Sequence, residues 1–364
     1  MRIIAIANQK GGCGKSTTAI NLSACLAQQH RNVLLIDLDP QAHATLGLNI
    51  NLNDIDKSMY DILTPRREEK VRLDEIIISI GENFDLAPSN ILLSAIEQEL
   101  SGKPEREAKL DQAISLMVTK KTYDYIIIDC PPSLGLLTFN GLRVAQEIIA
   151  PIETGFFSLH GVSRLLEVIN LIDKQLNCKI TIKALITMFD RRTKFSQEVK
   201  AEIYNHFSDN VFSTVINNNV RLKEASSYGL PIIAYDKRSR GAEDYTNLTK
   251  EVLQDELNKE LTSAMEVACK SNGGPQRVKD GILFSLYDPQ ANNVEIAGDF
   301  NRWVSVQTQK LENVKKGVWA KIYNLKPGRY HYKFIVDGRW VPDPSNSNQE
   351  SDVGGNINSL LEIG

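Results

Sequence analysis

The chain has 364 residues, 42% of them hydrophobic and 24% charged, with a formal net charge of -3. The apolar content suffices for a large core and the length implies two or three domains, while the near-neutral total excludes a wholly basic nucleic-acid-binding chain and leaves room only for a local basic patch. The five cysteines (Cys13, Cys25, Cys130, Cys178 and Cys269) form no C-x-x-C pair and no metal-ligand spacing, so a reducing cytosol is the expectation.

The first predicted element is a strand, RIIAIAN, at the N-terminus, and no secretory leader is expected ahead of it. A glycine-rich stretch occupies 8–17, and a helix begins near Lys15 in KSTTAINLSACLAQQH. Further β-branched runs of strand length follow in order: NVLLIDLD, YDYIIID, EIIAPIE and KITIKALIT, with helix-length patterns between them. This alternation predicts an α/β domain built on a mostly parallel, doubly wound P-loop sheet covered on both faces. No apolar run is long enough to span a bilayer. Beyond about residue 280 the pattern changes to short strands and turns: GILFSLY, NNVEIAGDF, GVWAKIYNL and KPGRYHYKFIVDGRWV. All three tryptophans lie there, and VDGRW is an Asp-Gly hairpin signal. A small all-β, immunoglobulin-like sandwich of ~90 residues is predicted. The polar join CKSNGGPQRVKDG divides the two, giving domains 1–265 and 278–364 with a linker over 266–277.

The stretch NQKGGCGKST at 8–17 almost fits the phosphate-binding pattern G-x-x-x-x-G-K-[ST]. Gly14, Lys15 and Ser16 supply its second half, but position 9 is Gln9, and Lys10, Gly11, Gly12 and Cys13 fill the interior. A strand before the loop and a helix after it create an anion site from backbone N–H groups, including those at Ser16 and Thr17. Lys15 would reach the β and γ phosphates, and the Ser16 hydroxyl would ligate Mg²⁺. Asp37 and Asp39 close the second strand and Asp129 closes another, where open α/β sheets bind ligands. Each aspartate alone could cap a helix or line a turn. Three of them beside a phosphate loop point to a metal-nucleotide site, with Asp129 holding Mg²⁺.

KGGCGKST resembles the deviant Walker A loop of the ParA/MinD ATPases. LLIDLDPQAHATLGL, FDLAPSNILL, DYIIIDCPPSLGLLTFNGL, ITMFDRRTKFSQEV and VRLKEASSYGLPIIAYDKRSRGAEDYTNLTKEV resemble that family's other blocks in the same order, over residues 1 to 262. The resemblance implies an ATP-dependent homodimer, with ATP and Mg²⁺ as cofactors. Lys10 would contact the phosphates bound by the partner subunit, Asp39 would position the attacking water, and Asp37 would support the metal site. The absence of glycine at position 9 is the family's own variation. Phosphoryl transfer is mostly positioning and charge stabilisation. A second lysine that arrives only when two ATP-bound chains meet makes ATP the glue of the dimer and hydrolysis its solvent.

Three branches of the family are separable in the sequence. An iron–sulfur branch needs paired cysteines between subunits, and Cys130 has no evident second position, so Cys13 and Cys130 read as small packing residues. A membrane-bound branch ends in a basic amphipathic helix. Here the stretch NLTKEVLQDELNKELTSAMEVA carries Glu251, Asp255, Glu256, Glu260 and Glu266 against Lys250 and Lys259, so anionic lipid would repel it and no membrane partner is expected. The chromosome- and plasmid-partitioning branch binds DNA non-specifically. Its surface arginines match Arg192 and Arg221, with Arg191, Lys194, Lys223, Lys237, Arg238 and Arg240 nearby. Taken alone, such a run is more often a solvated surface. Asn217 and Asn218 stand where the family often carries Pro-Arg. By the same resemblance a ParB-like protein would stimulate turnover, and the protein would be cytoplasmic and nucleoid-associated.

VEIAGDFNRW, GRYHYKFIVDGRWVPDPSN and GGNINSLLEI resemble the family-48 carbohydrate-binding modules, the glycogen-binding domain of AMP-activated kinase β subunits among them, over about 278 to 364. The resemblance implies that Trp303 and Trp340 stack on glucose rings and that Lys333 and Asn358 bond the hydroxyls. An indole offers a flat apolar platform to a sugar's C–H face. The bland alternative, core packing, is the better expectation for Trp319. Gly354 replaces the bulky apolar residue of glycogen-binding examples. Two readings stay open: a glucan-binding module, so that a glycogen-associated cargo is positioned, or a regulatory ATPase whose sandwich binds a partner protein.

Overall fold

The structure is a computed structural model that describes residues 1–65, 71–117, 122–155, 180–268, 274–278, 281–304, 310–315, 317–352 and 354–363. The chain divides into two compact units, Met1–Glu251 and Val252–Gly364.

The first unit is built on a seven-stranded sheet. Its strands are β1 (Arg2–Ile6), β2 (Val33–Asp37), β3 (Ile78–Gly81), β4 (Phe84–Ala87), β5 (Tyr125–Asp129), β6 (Glu147–Glu153) and β7 (Thr181–Thr187), in the spatial order β3-β4-β2-β5-β1-β6-β7. Only β3 runs antiparallel to its neighbour. Every residue of β1, β2 and β5 is buried, which is why these strands read as unbroken apolar runs rather than alternating ones. The register sets the site: Asp37 lies opposite Asp129 across β2 and β5, and Ile6 lies opposite Asp129 across β5 and β1. The carboxyl ends of three central strands are thus level. Helix α1 (Lys15–Gln28) leaves the loop after β1 and runs almost wholly buried along the sheet.

The second unit has two antiparallel sheets. One contains β10 (Val294–Gly298), β13 (Gly328–Val336), β16 (Ile357–Ile363) and β15 (Gln349–Ser351) in that order, with β14 (Arg339–Val341) also on β13. The other contains β11 (Glu312–Lys315), β12 (Val318–Tyr323), β9 (Gly281–Tyr287) and β8 (Gln276–Val278). Phe284, Tyr332, Phe334, Ile296 and Trp319 form its core, with the Phe284 and Tyr332 rings edge-on at 5.0 Å. Asp337 and Gly338, both at positive φ, form the hairpin between β13 and β14 that Asp-Gly foretold. The helix Arg240–Ala268 runs past the division between the units. Within the second unit its Leu257 packs on Leu283 and Ala320. Residues 269–273 of the expected linker lie outside the described residues.

Candidate nucleotide site and its companions

Gly12 and Gly14 sit at φ 74° and 88°, where a side chain would be strained, and Gly14 opens α1. The first turn of α1 carries no acidic residue and no side-chain cap, an end that suits an anion. Lys15 is buried and its Nζ donates to the Lys10 carbonyl at 3.0 Å. The Cys13 thiol donates to the same carbonyl at 3.2 Å, and Thr187 Oγ1 holds the Cys13 carbonyl at 2.8 Å. Burial pushes the Cys13 thiol up, so it is a packing group and not a nucleophile. Lys10 differs. Its Nζ, still partly exposed, pairs with Glu153 Oε2 at 2.7 Å. The two lysines therefore occupy separate places: Lys15 lies inside the loop and Lys10 on its rim.

The three aspartates also differ. The Asp37 carboxylate accepts from Asp39 N at 3.0 Å, Thr45 N at 2.9 Å and Thr45 Oγ1 at 2.7 Å, so it fixes the chain that carries Asp39. One oxygen of Asp39 accepts from Gln41 N at 2.9 Å, and the other lies 3.8 Å from His43. Asp129 is fully buried, and neither of its oxygens meets hydrogen-bond geometry with a donor among the described residues. The Ser16 hydroxyl and the Lys15 ammonium lie close enough to favour its charged form, but burial and the Asp37 charge outweigh them and hold the acid well above its usual range. Burial raises Asp37 as well. A buried carboxylate beside a serine hydroxyl suits a hard cation. Gly11, Gly12, Gly14, Lys15, Ser16, Thr17 and Asp39 line one cleft of about 520 Å³.

In the second unit, register places the expected sugar-facing residues on one face. Lys333 lies opposite Ala297, and Trp340 opposite Ile335, two residues along β13. Asn358 faces the same way from β16, opposite Glu350. Trp340 is 48% exposed, and its ring lies 6.2 Å from that of Trp303 at a tilt of 30°. Arg302 and Trp303 both adopt positive φ, 57° and 58°, a strained turn for two residues with side chains. Trp319 is buried and donates to the Asp288 carbonyl at 3.1 Å, as its core reading requires.

Known proteins share both halves. The family described as AAA domain matches residues 1–182, and the family described as glycogen recognition site of AMP-activated protein kinase matches residues 285–364. The sporulation initiation inhibitor protein Soj of Bacillus subtilis is 47% identical over 252 residues, which are 69% of this chain and 98% of that protein. The chromosome partitioning protein ParA of Caulobacter vibrioides is 37% identical over 265 residues, 72% of this chain and 98% of that protein. This chain belongs to the ParA/Soj family of partition ATPases. Cobyrinic acid a,c-diamide synthase from Mycobacterium smegmatis, solved with a bound ATP analog and magnesium, superimposes with a TM-score of 0.60 at 30% identity, covering 70% of this chain and 95% of that one.

The ParA-type unit carries its candidate arginines on a separate surface. Arg191, Arg192, Arg240, Asn217 and Asn218 border a cleft of about 570 Å³, and Arg221 follows Val220 of its rim. Three of these cations are already held by carboxylates. Arg192 grips Asp190 through two bonds of 2.9 and 2.7 Å, Arg221 bonds Glu224 at 2.8 Å, and Arg240 bonds Asp244 at 3.1 Å. Asn217 does not merely lack a charge: its N–H and its amide both donate to Asp244. Among the described residues no helix is long and apolar enough to cross a membrane.

Several residues of the ParA-type site escaped sequence reasoning. Glu153, the partner of Lys10, ends β6 and is 143 residues away. Met188 lines the cleft beside the loop in a left-handed conformation, φ 51°, and its strain is visible only in the fold. Leu46, Gly47 and Ser226 also line it, as do Ile20, Gln41, His43 and Pro132. The signal for Met188 and Ser226 lay in their family-like blocks.

Proposed function

We propose that this ParA-family ATPase is an ATP-dependent dimerising switch that hydrolyses ATP slowly, binds DNA without sequence preference as the ATP dimer, and positions a cargo taken up by its C-terminal module. One observation carries the reading: Lys15 is buried within the loop while Lys10 stands on its rim, free to leave Glu153 for phosphates presented by a second subunit. Glu153 keeps Lys10 neutralised until a stronger anion competes. Residues 11 to 17 would hold the phosphates of ATP. Ser16 and Asp129 would hold Mg²⁺, which would supply charge neutralisation at the phosphates. Asp39 orients the attacking water from the wall of the cleft, and Asp37 fixes Asp39 through the bond to its N–H.

DNA phosphates then compete with Asp190 and Glu224 for Arg192 and Arg221, giving salt-sensitive, sequence-independent binding. Trp303, Trp340, Lys333 and Asn358 form an α-glucan surface, so a glycogen-associated cargo fits. A ParB-like partner stimulates turnover, and the place of action is the cytoplasmic nucleoid. Asp39→Ala tests the switch. It should bind ATP, stall hydrolysis and accumulate dimer. Hydrolysis at the wild-type rate by this variant would sink the assignment of the water. If the protein dimerises but ignores every α-glucan, the sandwich is a partner-protein module instead.

A further inference from the structure

Beside the Trp303–Trp340 surface lies a group of charges that neither sugar stacking nor core packing requires. His331, on the outer face of β13, is one-third exposed and held from two sides. Its Nδ1 lies 3.1 Å from Asp299 Oδ2, and its Nε2 lies 3.0 Å from Glu350 Oε2. Its backbone N–H donates to the same Asp299 oxygen at 2.7 Å. The other oxygen of Asp299 accepts the indole N–H of Trp303 at 2.9 Å. Only the doubly protonated imidazolium donates from both ring nitrogens. One aspartate therefore joins a titratable cation to a platform tryptophan whose own turn is strained.

We propose that His331 is a positioning residue for the glucan platform: as imidazolium it clamps Asp299 and Glu350, Asp299 thereby holds Trp303 in place, and α-glucan capture weakens when His331 loses its proton. This rests on the glucan reading of the module. Charge reaches His331 from several elements. Asp299 faces it from the turn after β10 and Glu350 from β15. Arg329, two residues back on β13, shares Glu350 and also reaches Glu362 on β16 at 3.4 Å. Lys333, two residues on, is near Asp352 and adds a like charge. The two carboxylates prevail. Bonding to Glu350 is the largest effect, followed by partial burial working against it and by Asp299, and the histidine is raised above its ordinary 6.5. A raised value means the clamp is complete below the ordinary value and is lost as pH rises through the folded one.

The test uses the full chain and glycogen. Co-sedimentation is measured from about pH 5.5 to about pH 9, which brackets the ordinary histidine value. Wild-type affinity should fall roughly two- to tenfold across the range, the worth of one aromatic platform. His331→Gln, neutral throughout, should bind at the weak level at every pH. With tryptophan selectively labelled, the Trp303 indole N–H resonance should titrate in the wild type and stay fixed in the variant. Flat wild-type affinity over the range, or a pH dependence that survives in His331→Gln, would overturn the clamp. Absence of glycogen binding at every pH, with the Trp303 resonance still titrating, would overturn the glucan reading itself, which separates the two failures.

Discussion

Asp129→Asn isolates the position proposed for the metal. Asp129 is fully buried, neither oxygen meets hydrogen-bond geometry with a donor among the described residues, and the Asp37 carboxylate stands across the strand pair. An unsatisfied buried polar group costs about 1–3 kcal/mol, more when charged. The amide removes the charge and offers its N–H groups toward the neighbouring aspartates. The nucleotide-free variant should therefore be more stable than wild type by about 2 kcal/mol, or roughly 4–8 °C in Tm at about 2–4 °C per kcal/mol for a unit of this size. Folding raises the Asp129 pKa, so the folded chain holds more protons than the unfolded one as pH climbs from mildly acidic to neutral, and stability falls over that window. That fall should shrink in the variant. ATP with Mg²⁺ should reverse the order: at a ligand concentration of about 100 times Kd the wild type gains about 2.7 kcal/mol, and the variant gains much less. Thermal melts with no ligand, with ATP plus chelator, and with ATP plus Mg²⁺ read all three. A variant that melts lower than wild type without nucleotide and keeps the full Mg²⁺-dependent gain would refute the reasoning.

Lys10→Ala should keep ATP binding by the monomer and lose ATP-dependent dimerisation in light scattering, whereas Lys15→Ala should lose tight ATP binding altogether; normal dimerisation by Lys10→Ala would remove the cross-subunit role. Arg192→Glu with Arg221→Glu should dimerise with ATP yet fail to retard DNA, and single charge-neutral changes at either arginine should lower the salt slope by about 1 for each DNA phosphate no longer neutralised. Trp303→Ala with Trp340→Ala should weaken glycogen binding about tenfold or more without unfolding the sandwich. Trp319→Ala should instead cost about 3–5 kcal/mol of stability, read by circular dichroism.

What the sequence disclosed was local or periodic. The loop glycines, the apolar strand β1 and the helix α1 are contiguous, so their order alone announces a phosphate site. The placement of Trp319 in the core follows from its position in a short β-branched strand. The pairing of Lys10 with Glu153 depends on β1 lying beside β6, and no pattern in either strand states that adjacency. The clamp of Asp299 and Glu350 on His331 likewise needs the register of four strands, β10, β13, β16 and β15. The arginine partners are intermediate: Asp190 is two residues from Arg192, and Glu224 is three from Arg221, so a helical or turn spacing could have shown that these charges arrive already paired. The long helix reads as one continuous pattern, and the packing of Leu257 on Leu283 and Ala320 is not written in it.

The most direct measurement is DNA retardation by the purified full chain, with ATP and Mg²⁺, with ADP, and without nucleotide, on duplexes of unrelated sequence. A dimerising switch predicts binding only with ATP and Mg²⁺, equal for every duplex and falling steeply with salt. Binding that is the same without nucleotide, or no binding by a protein shown to dimerise with ATP, would contradict it.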